Sequence, residues 1–368
     1  MKFILEKTPF QQNLAKIQGI TERRSTLPIL SNLLISSTGD TIELIATDLE
    51  IGVKETVEAT LVEQGSICVS GKKLYDIVRE LPGNKVEVKG EENFWVSIQG
   101  GKSTFNLPGL DPDDFPVFPS TESGNYFSIG IVEFLEMIER SVFAAATEES
   151  RLNLNGVYME KAVDAGREVL RLVATDGHRL ARVDKAVETS IERGVILPRR
   201  GVLELRRVLT DGDNEVAIAV QDNNCIFKTE NTVVVVRLLE GEYPDYQQVI
   251  PSGNDKRVVV DRKEFLGAVR RAQVIASEQG EGIRFHISSG QMEVKTGGPS
   301  VGNVHEEVKI DYEGEGVSIN FNGRYLLDVL NILDTDRVTM ELKEELSASV
   351  IKPGNGEEYL YVIMPMRL

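Results

Sequence analysis

One pattern occurs three times along this chain and constrains its fold more than any other feature. Lys72–Leu81 carries Leu74, Ile77, Val78 and Leu81; Arg199–Leu209 carries Val202, Leu205 and Leu209; Gly323–Leu333 carries Leu326, Val329, Leu330 and Leu333. Spacings of three and four residues put these side chains on one face of a helix. Each segment follows a short apolar run, Ile67–Val69, Val195–Leu197 or Val317–Phe321. Upstream, each copy opens on another amphipathic stretch: Phe10, Leu14 and Ile17, then Leu135, Ile138 and Val142, then Phe265, Val269 and Ala272. Between the helices, Lys85–Val88, Phe94–Ile98, Glu215–Val220, Thr232–Arg237 and Arg337–Leu342 alternate with a period of two and read as half-buried strands. Each copy is therefore predicted to be an α+β domain with two helices on one face of a largely antiparallel sheet. The unit is too long for a solenoid or propeller repeat, which runs to about 50 residues.

Length divides the same way, because 368 residues suit two or three domains of about 100–200 residues each. The small, polar stretches Ser120–Tyr126 and Pro251–Lys256 place the boundaries, giving domains 1–122, 123–250 and 251–368. Asp111–Pro119, the richest stretch in proline and aspartate, reads as an exposed connection. No apolar run approaches the ~20 residues of a membrane span, and the chain starts on a strand-like Met1–Leu5, so a soluble, unexported protein is expected. Cys68 and Cys225 lie inside apolar runs of different copies and are expected to be buried free thiols in a reducing compartment.

Charge is the first pointer to function. The chain stands at −17, which argues against a generic nucleic-acid binder. Its six helical segments nonetheless hold 14 Lys and Arg against 8 Asp and Glu. The excess sits in Arg199, Arg200, Arg206, Arg207, Arg262, Lys263, Arg270 and Arg271, with Lys72, Lys73 and Arg79 in the first copy. One charged helix is ordinarily a solvated face. Three copies with the same bias, facing one way, make one basic surface on an acidic particle, suited to phosphates and not to base reading. No zinc-finger spacing or aromatic RNA-binding pattern accompanies it.

Two segments invite a catalytic reading. Gly100-Gly101-Lys102-Ser103-Thr104 has Val96 where a phosphate-binding loop needs glycine, and a strand follows where that loop needs a helix. In Ala174–Ala181, Asp176 and His178 could form an acid/base pair, giving a hydrolase reading. No nucleophile or metal-ligand spacing accompanies the pair, and neither metal nor cofactor is expected. Thr175-Asp176-Gly177 also reads as a tight turn between strands. Thr47-Asp48 stands at the equivalent point of the first copy with no histidine after it, which favours the turn. The apolar end, Met364-Pro365-Met366-Arg367-Leu368, reads either as a strand end tucked into the third domain or as part of a Met-lined peptide groove.

Tyr361–Leu368, the ATDGHRLA segment at 174–181, Thr26–Leu30 and Gly241–Tyr246 closely resemble the bacterial sliding clamps, the beta subunits of DNA polymerase III. The resemblance covers the chain from Met1 to Leu368, in register with the three copies. It implies a DNA-clamp fold and a head-to-tail homodimer whose six domains form a ring around duplex DNA, with helices lining the hole. It further implies a non-catalytic processivity factor, cytoplasmic and nucleoid-associated. Such a factor tethers replicative and translesion polymerases, the clamp loader, and mismatch-repair and ligase-type proteins through linear peptides. By motif position, the peptide groove comprises Leu154, Thr175, Gly177, His178, Arg179, Leu180, Pro244, Val249, Val362, Met364, Pro365, Met366 and Leu368. The DNA-facing positions are Arg24, Lys72, Lys73, Arg79, Arg151, Arg199 and Arg200, and the dimer contact sets Phe105 and Leu107 against Val274 and Ile275. Leu152-Asn153 and Gln247-Gln248 depart from residues found in some relatives. Two other readings stand beside this one: a structural scaffold without DNA, and a hydrolase using Asp176 and His178.

Overall fold

The computed structural model describes residues 1–21, 27–147, 152–209, 214–279, 282–298, 302–354 and 358–367. Among these residues lie six α-helices: α1 (Lys7–Thr21), α2 (Gly71–Glu80), α3 (Ile131–Val142), α4 (Arg199–Val208), α5 (Arg262–Gln279) and α6 (Gly323–Ile332). They are the two helices expected of each copy. The chain separates into two compact units, Met1–Phe134 with Arg200–Leu238, and Leu135–Arg199 with Leu239–Leu368. The middle copy thus contributes to both.

Strand register explains that division. In the first unit thirteen strands form one sheet, in which Thr232–Arg237 of the middle copy pairs antiparallel with Ile51–Glu58 of the first, Val234 opposite Val53. In the second, twelve strands form another, in which Tyr359–Ile363 of the third copy pairs antiparallel with Arg179–Ala186 of the middle one, Tyr361 opposite Ala181. Hydrogen-bonded ladders therefore run through the copies and not only within them. On the sheets lie α1 with α2 in the first unit and α5 with α6 in the second. The repeated apolar stripe faces inward: Leu74 and Val78 of α2 are buried with Phe10, Leu14 and Ile17 of α1. Each such side chain contributes roughly 1.5–3 kcal/mol by leaving water.

Two sequence expectations need correction. The strand expected from Phe94 begins at Trp95, because Asn93 and Phe94 adopt left-handed φ of 55° and 61° that break the extended run. Asp111–Pro119 is not simply an exposed connection, since Phe115 is buried with Ile45 and Cys68, and Phe118 packs against that cluster. Gly52 makes room for it: a Cβ there would stand 3.0 Å from the Phe118 ring.

Both cysteines are free and buried. Burial pushes the Cys68 thiol up from 9.0 to about 12. The fold keeps that proton longer than the unfolded chain does, so the associated stability is complete below pH 9 and drains away as pH rises toward 12. The urea midpoint is expected to fall above pH 9, and less steeply in Cys68→Ala; parallel slopes would show that Cys68 carries none of the effect.

Candidate peptide-binding groove and nucleic-acid interface

The ATDGHRLA segment folds as a turn between the strands Arg167–Thr175 and Arg179–Ala186. Gly177 supplies the left-handed residue, with φ 87°. Asp176 Oδ1 accepts from the backbone N–H groups of His178 at 2.9 Å and Arg179 at 3.0 Å, and Oδ2 accepts from Arg179 Nε at 3.1 Å. Thr175 Oγ1 accepts from Gly177 N–H at 3.1 Å and donates to the Arg179 carbonyl at 2.6 Å. A carboxylate so engaged organises the backbone and is poorly placed to act as a base. The first copy repeats the arrangement: Thr47 Oγ1 accepts from Leu49 N–H, and Asp48 Oδ1 accepts from the N–H groups of Glu50 and Ile51. There Leu49 holds φ 74° where the middle copy has Gly177. Gly177→Leu is expected to destabilise by about 1–2 kcal/mol. Leu49→Gly should be neutral or mildly stabilising, since relief of strain offsets glycine's extra chain entropy. Denaturant titration of both variants checks the asymmetry; equal losses would contradict it.

The C-terminal tail lies along this turn. Met364 N–H donates to the His178 carbonyl at 2.9 Å and Met366 N–H to the Asn320 carbonyl at 2.8 Å. Met364, Pro365 and Met366 are thereby held half-buried beside the turn. In the same unit Leu180 and Val362 are buried in one cluster with Val173, Tyr246, Val350 and Leu360, and Tyr158 and Tyr243 pack against it as stacked rings 4.8 Å apart. Pro244 and Val249 are exposed on the segment around the buried Tyr246, and Leu154 is half-buried in a short 3₁₀ turn. The second unit thus brings Thr175, Gly177, His178, Arg179, Leu180, Val362 and Met364 together around one strand end. Leu368 lies outside the described residues.

Arg179 has neighbours that the sequence reading missed. Its guanidinium donates to the Phe143 carbonyl at 2.8 Å, pairs with Asp328 of α6, and lies 4.5 Å from the centre of the Tyr325 ring. The exposed His178 ring runs nearly parallel to Tyr325, with centres 6.5 Å apart. His178 is thus flanked by an aromatic ring. Tyr246 is held from below: Arg171 NH1 donates to its hydroxyl at 3.2 Å, and that hydroxyl donates to Glu160. Arg171 grips Asp184 through two parallel hydrogen bonds of 2.7 and 2.6 Å, with both residues buried. Burial works against the Arg171 charge, yet its bonds to Asp184 and Tyr246 outweigh that and hold its pKa above the usual value.

The basic residues divide into those tied up locally and those left outward. Arg262 donates to the carbonyls of Thr335 and Leu330, Arg207 to that of Ala15, and Arg271 forks onto Glu306. Arg200 pairs with Asp48 and with Glu50, the latter at 3.0 Å. Arg79 is exposed beside Glu80 and Asp76, and its hydrogen bond to Glu80 raises its pKa. Arg199 is half-buried, while Lys72 and Lys73 are exposed. Arg24 and Arg151 lie outside the described residues. Lys72 and Lys73 open α2, Arg199 and Arg200 open α4, and Arg324 stands second in α6, with no acidic residue in any of the three first turns. Cations at a helix start oppose the macrodipole and cost stability, whereas together with the free N–H groups they suit an anion. The sequence reading passed over Arg324, although the threefold repeat marks its position.

Among the described residues two inner strands are paired on one side along only part of their length. Ser103–Leu110 pairs along its length with Trp95–Gly100, but on its other side only Gly109 and Leu110 find partners. Phe105 is exposed on this edge and Leu107 half-buried. In the second unit Gly302–Asp311 pairs with Gln291–Gly298, while on its other side only Ile310 and Asp311 are paired. Val274 and Ile275 lie on α5, and Val274 is 66% exposed.

Across its length the chain matches three family models: the DNA polymerase III beta subunit N-terminal domain over residues 1–119, the central domain over 129–245 and the C-terminal domain over 247–367. The chain belongs to the DNA polymerase III beta subunit family. Beta sliding clamps of Pseudomonas aeruginosa and Escherichia coli K12 are 36% and 33% identical to it, each aligned over 100% of both chains. The crystal structure of the DNA polymerase III subunit beta from Pseudomonas aeruginosa gives a TM-score of 0.94 at 35% identity over both full chains. That of a sliding clamp from Bartonella birtlesii bound to griselimycin gives the same values. A beta subunit is an accessory chain and not a hydrolase, in keeping with the turn-forming role of Asp176. No helix among the described residues is long and apolar enough to cross a membrane.

Proposed function

We propose that this chain is a processivity factor that closes as a ring around duplex DNA and tethers a polymerase to it. The observation that carries the reading is the cationic, acid-free start of α2, α4 and α6 in a chain of net charge −17. Those starts offer each DNA strand a phosphate contact that is sequence-independent and individually weak, which permits sliding. Two copies meet head to tail, the open edge bearing Phe105 and Leu107 on one against the edge and helix bearing Val274 and Ile275 on the other. An unpaired strand edge invites pairing, and a second copy satisfies both. Domain limits near residues 122 and 250 belong to the same reading, as does a place in the cytoplasm at the nucleoid.

The tail and turn form a groove for linear peptides of replicative and translesion polymerases, the clamp loader, and mismatch-repair and ligase-type proteins. Adaptable methionines suit several apolar sequences. Tethering raises the polymerase's effective concentration at the primer by a factor on the order of 10² or more without new DNA contacts. Primer extension by a bacterial replicative polymerase with its loader tests this. Products are expected to lengthen many-fold with the chain present, and to shorten again with Met364→Asp, which puts a charge in the groove. Equal product lengths with and without the chain would refute the reading. A DNA-free scaffold predicts that Lys72→Glu with Lys73→Glu changes nothing, whereas a clamp loses loading efficiency.

A further inference from the structure

Tyr325 and Asp328 stand three positions apart on α6 and therefore on one face of it. Arg179 meets both. Each of its three side-chain nitrogens has an acceptor: Nε donates to Asp176 at 3.1 Å, one Nη to Asp328, and the other to the Phe143 carbonyl at 2.8 Å. The guanidinium carbon lies 4.5 Å from the centre of the Tyr325 ring and 5.4 Å from that of Phe143, within range of cation–π attraction. Phe143 packs in turn on the fully buried Tyr361, with ring centres 5.6 Å apart. A continuous series of contacts thus leads from the exposed His178 ring through Tyr325, Arg179 and Phe143 into the core.

The first unit shows what this arrangement is not needed for. It builds the same turn on Thr47 and Asp48, and Ile51 stands opposite Val236 as Arg179 stands opposite Ile363. Arg237 N–H donates to the Glu50 carbonyl there, as Met364 N–H does to that of His178. Yet Ile51 replaces Arg179, Glu50 replaces His178, and Gly201, third in α4, stands where Tyr325 stands in α6. Turn and ladder therefore form without the arginine or the two rings. The second unit adds them beside the apolar tail.

We propose that Asp328 is a positioning residue of the groove: by fixing the Arg179 guanidinium against Tyr325, it sets where the Tyr325 and His178 rings stand for an incoming peptide. Of the two carboxylates on Arg179, Asp176 also holds the turn through its Oδ1, whereas Asp328 reaches in from the helix that carries Tyr325. A charge-assisted bond to a planar guanidinium fixes its direction as well as its place. Without Asp328, Arg179 keeps Asp176 and the Phe143 carbonyl, so the turn stands while the ring loses its backing. The inference rests on the groove reading above and adds a residue that acts through others.

Asp328→Asn and Asp328→Glu in the full chain test it, with fluorescence anisotropy of a labelled Leu/Phe-rich peptide. The Asn variant is expected to bind roughly fivefold more weakly, because a charge-assisted bond becomes a neutral one, and the Glu variant to regain most of the loss. A purely structural role would not predict the second readout. With three histidines in the chain, NMR of ¹³C-labelled histidine resolves the His178 ring, assigned by its disappearance in His178→Gln. In the peptide-free Asn variant that signal should shift as Tyr325 moves, while those of His286 and His305 stay. Unchanged affinity in Asp328→Asn would overturn the proposal and leave the groove standing. Weaker binding with the His178 signal unmoved would overturn it too, since the loss would not pass through the rings. Failure of the unsubstituted chain to bind the peptide would instead remove the groove reading, and this inference with it.

Discussion

Phe105→Asp is expected to leave the chain monomeric at micromolar concentration, where the unsubstituted protein is expected to sediment as the proposed dimer, and this is the largest effect expected. Residues 103–108 carry an unpaired backbone edge in the isolated chain, and Phe105 projects from it 40% exposed. In the proposed dimer that ring is buried against a second copy as an anchor, and truncating an aromatic anchor costs about 2 kcal/mol or more. A carboxylate in its place is buried without a partner, adding a cost of similar size. A combined loss of about 4 kcal/mol weakens dimerisation roughly a thousandfold. The chain should still fold, since the position is exposed before association. Sedimentation velocity reads the result directly, with circular dichroism as the check on folding. An unshifted dimer would show that this edge is not the interface.

Arg171→Met is expected to be the most destabilising single change near the groove. Arg171 and Asp184 are both buried, and removing the cation leaves a buried carboxylate whose remaining partner, Arg182, lies 3.4 Å away. Breaking a buried pair from one side typically costs about 3–5 kcal/mol; the nearby Arg182 places this case at the lower end. Arg171→Met combined with Asp184→Leu should regain most of the loss, because no unpaired charge remains. Denaturant titration of the single and double variants measures it, and equal losses in the two would show that the pair itself carries the stability. Tyr246 loses a donor in both variants, so peptide affinity should fall in both, because the segment bearing Pro244 and Val249 is then less firmly held.

The helices were legible in the sequence because their signal is local. Apolar residues three and four apart mark a face, and three copies of α2, α4 and α6 reinforce one another. Thr175-Asp176-Gly177 was legible as a turn for a similar reason, with Thr47-Asp48 as its internal control. What periodicity cannot supply is the partner of a charged or aromatic side chain. Phe143, Tyr325 and Asp328 surround Arg179 from elements far away in sequence, and nothing in their local pattern points to residue 179. The engagement of Arg200 by Asp48 and Glu50 was hidden in the same way. So was Phe115, whose proline-rich surroundings spoke for an exposed connection while its ring entered a core. Open strand edges escape the sequence altogether, because pairing is a property of neighbours and not of a strand's own residues.

The most direct test of the account is whether attachment to DNA is topological. The protein is loaded onto nicked circular DNA with a cognate clamp loader and ATP, washed in high salt, and the circle is then cut with a restriction enzyme. A ring held by its closure survives the salt, which screens phosphate contacts, and slides off the linear ends after cutting. Retention after cutting, or loss from the intact circle in salt, would mean ordinary electrostatic binding and would contradict the clamp.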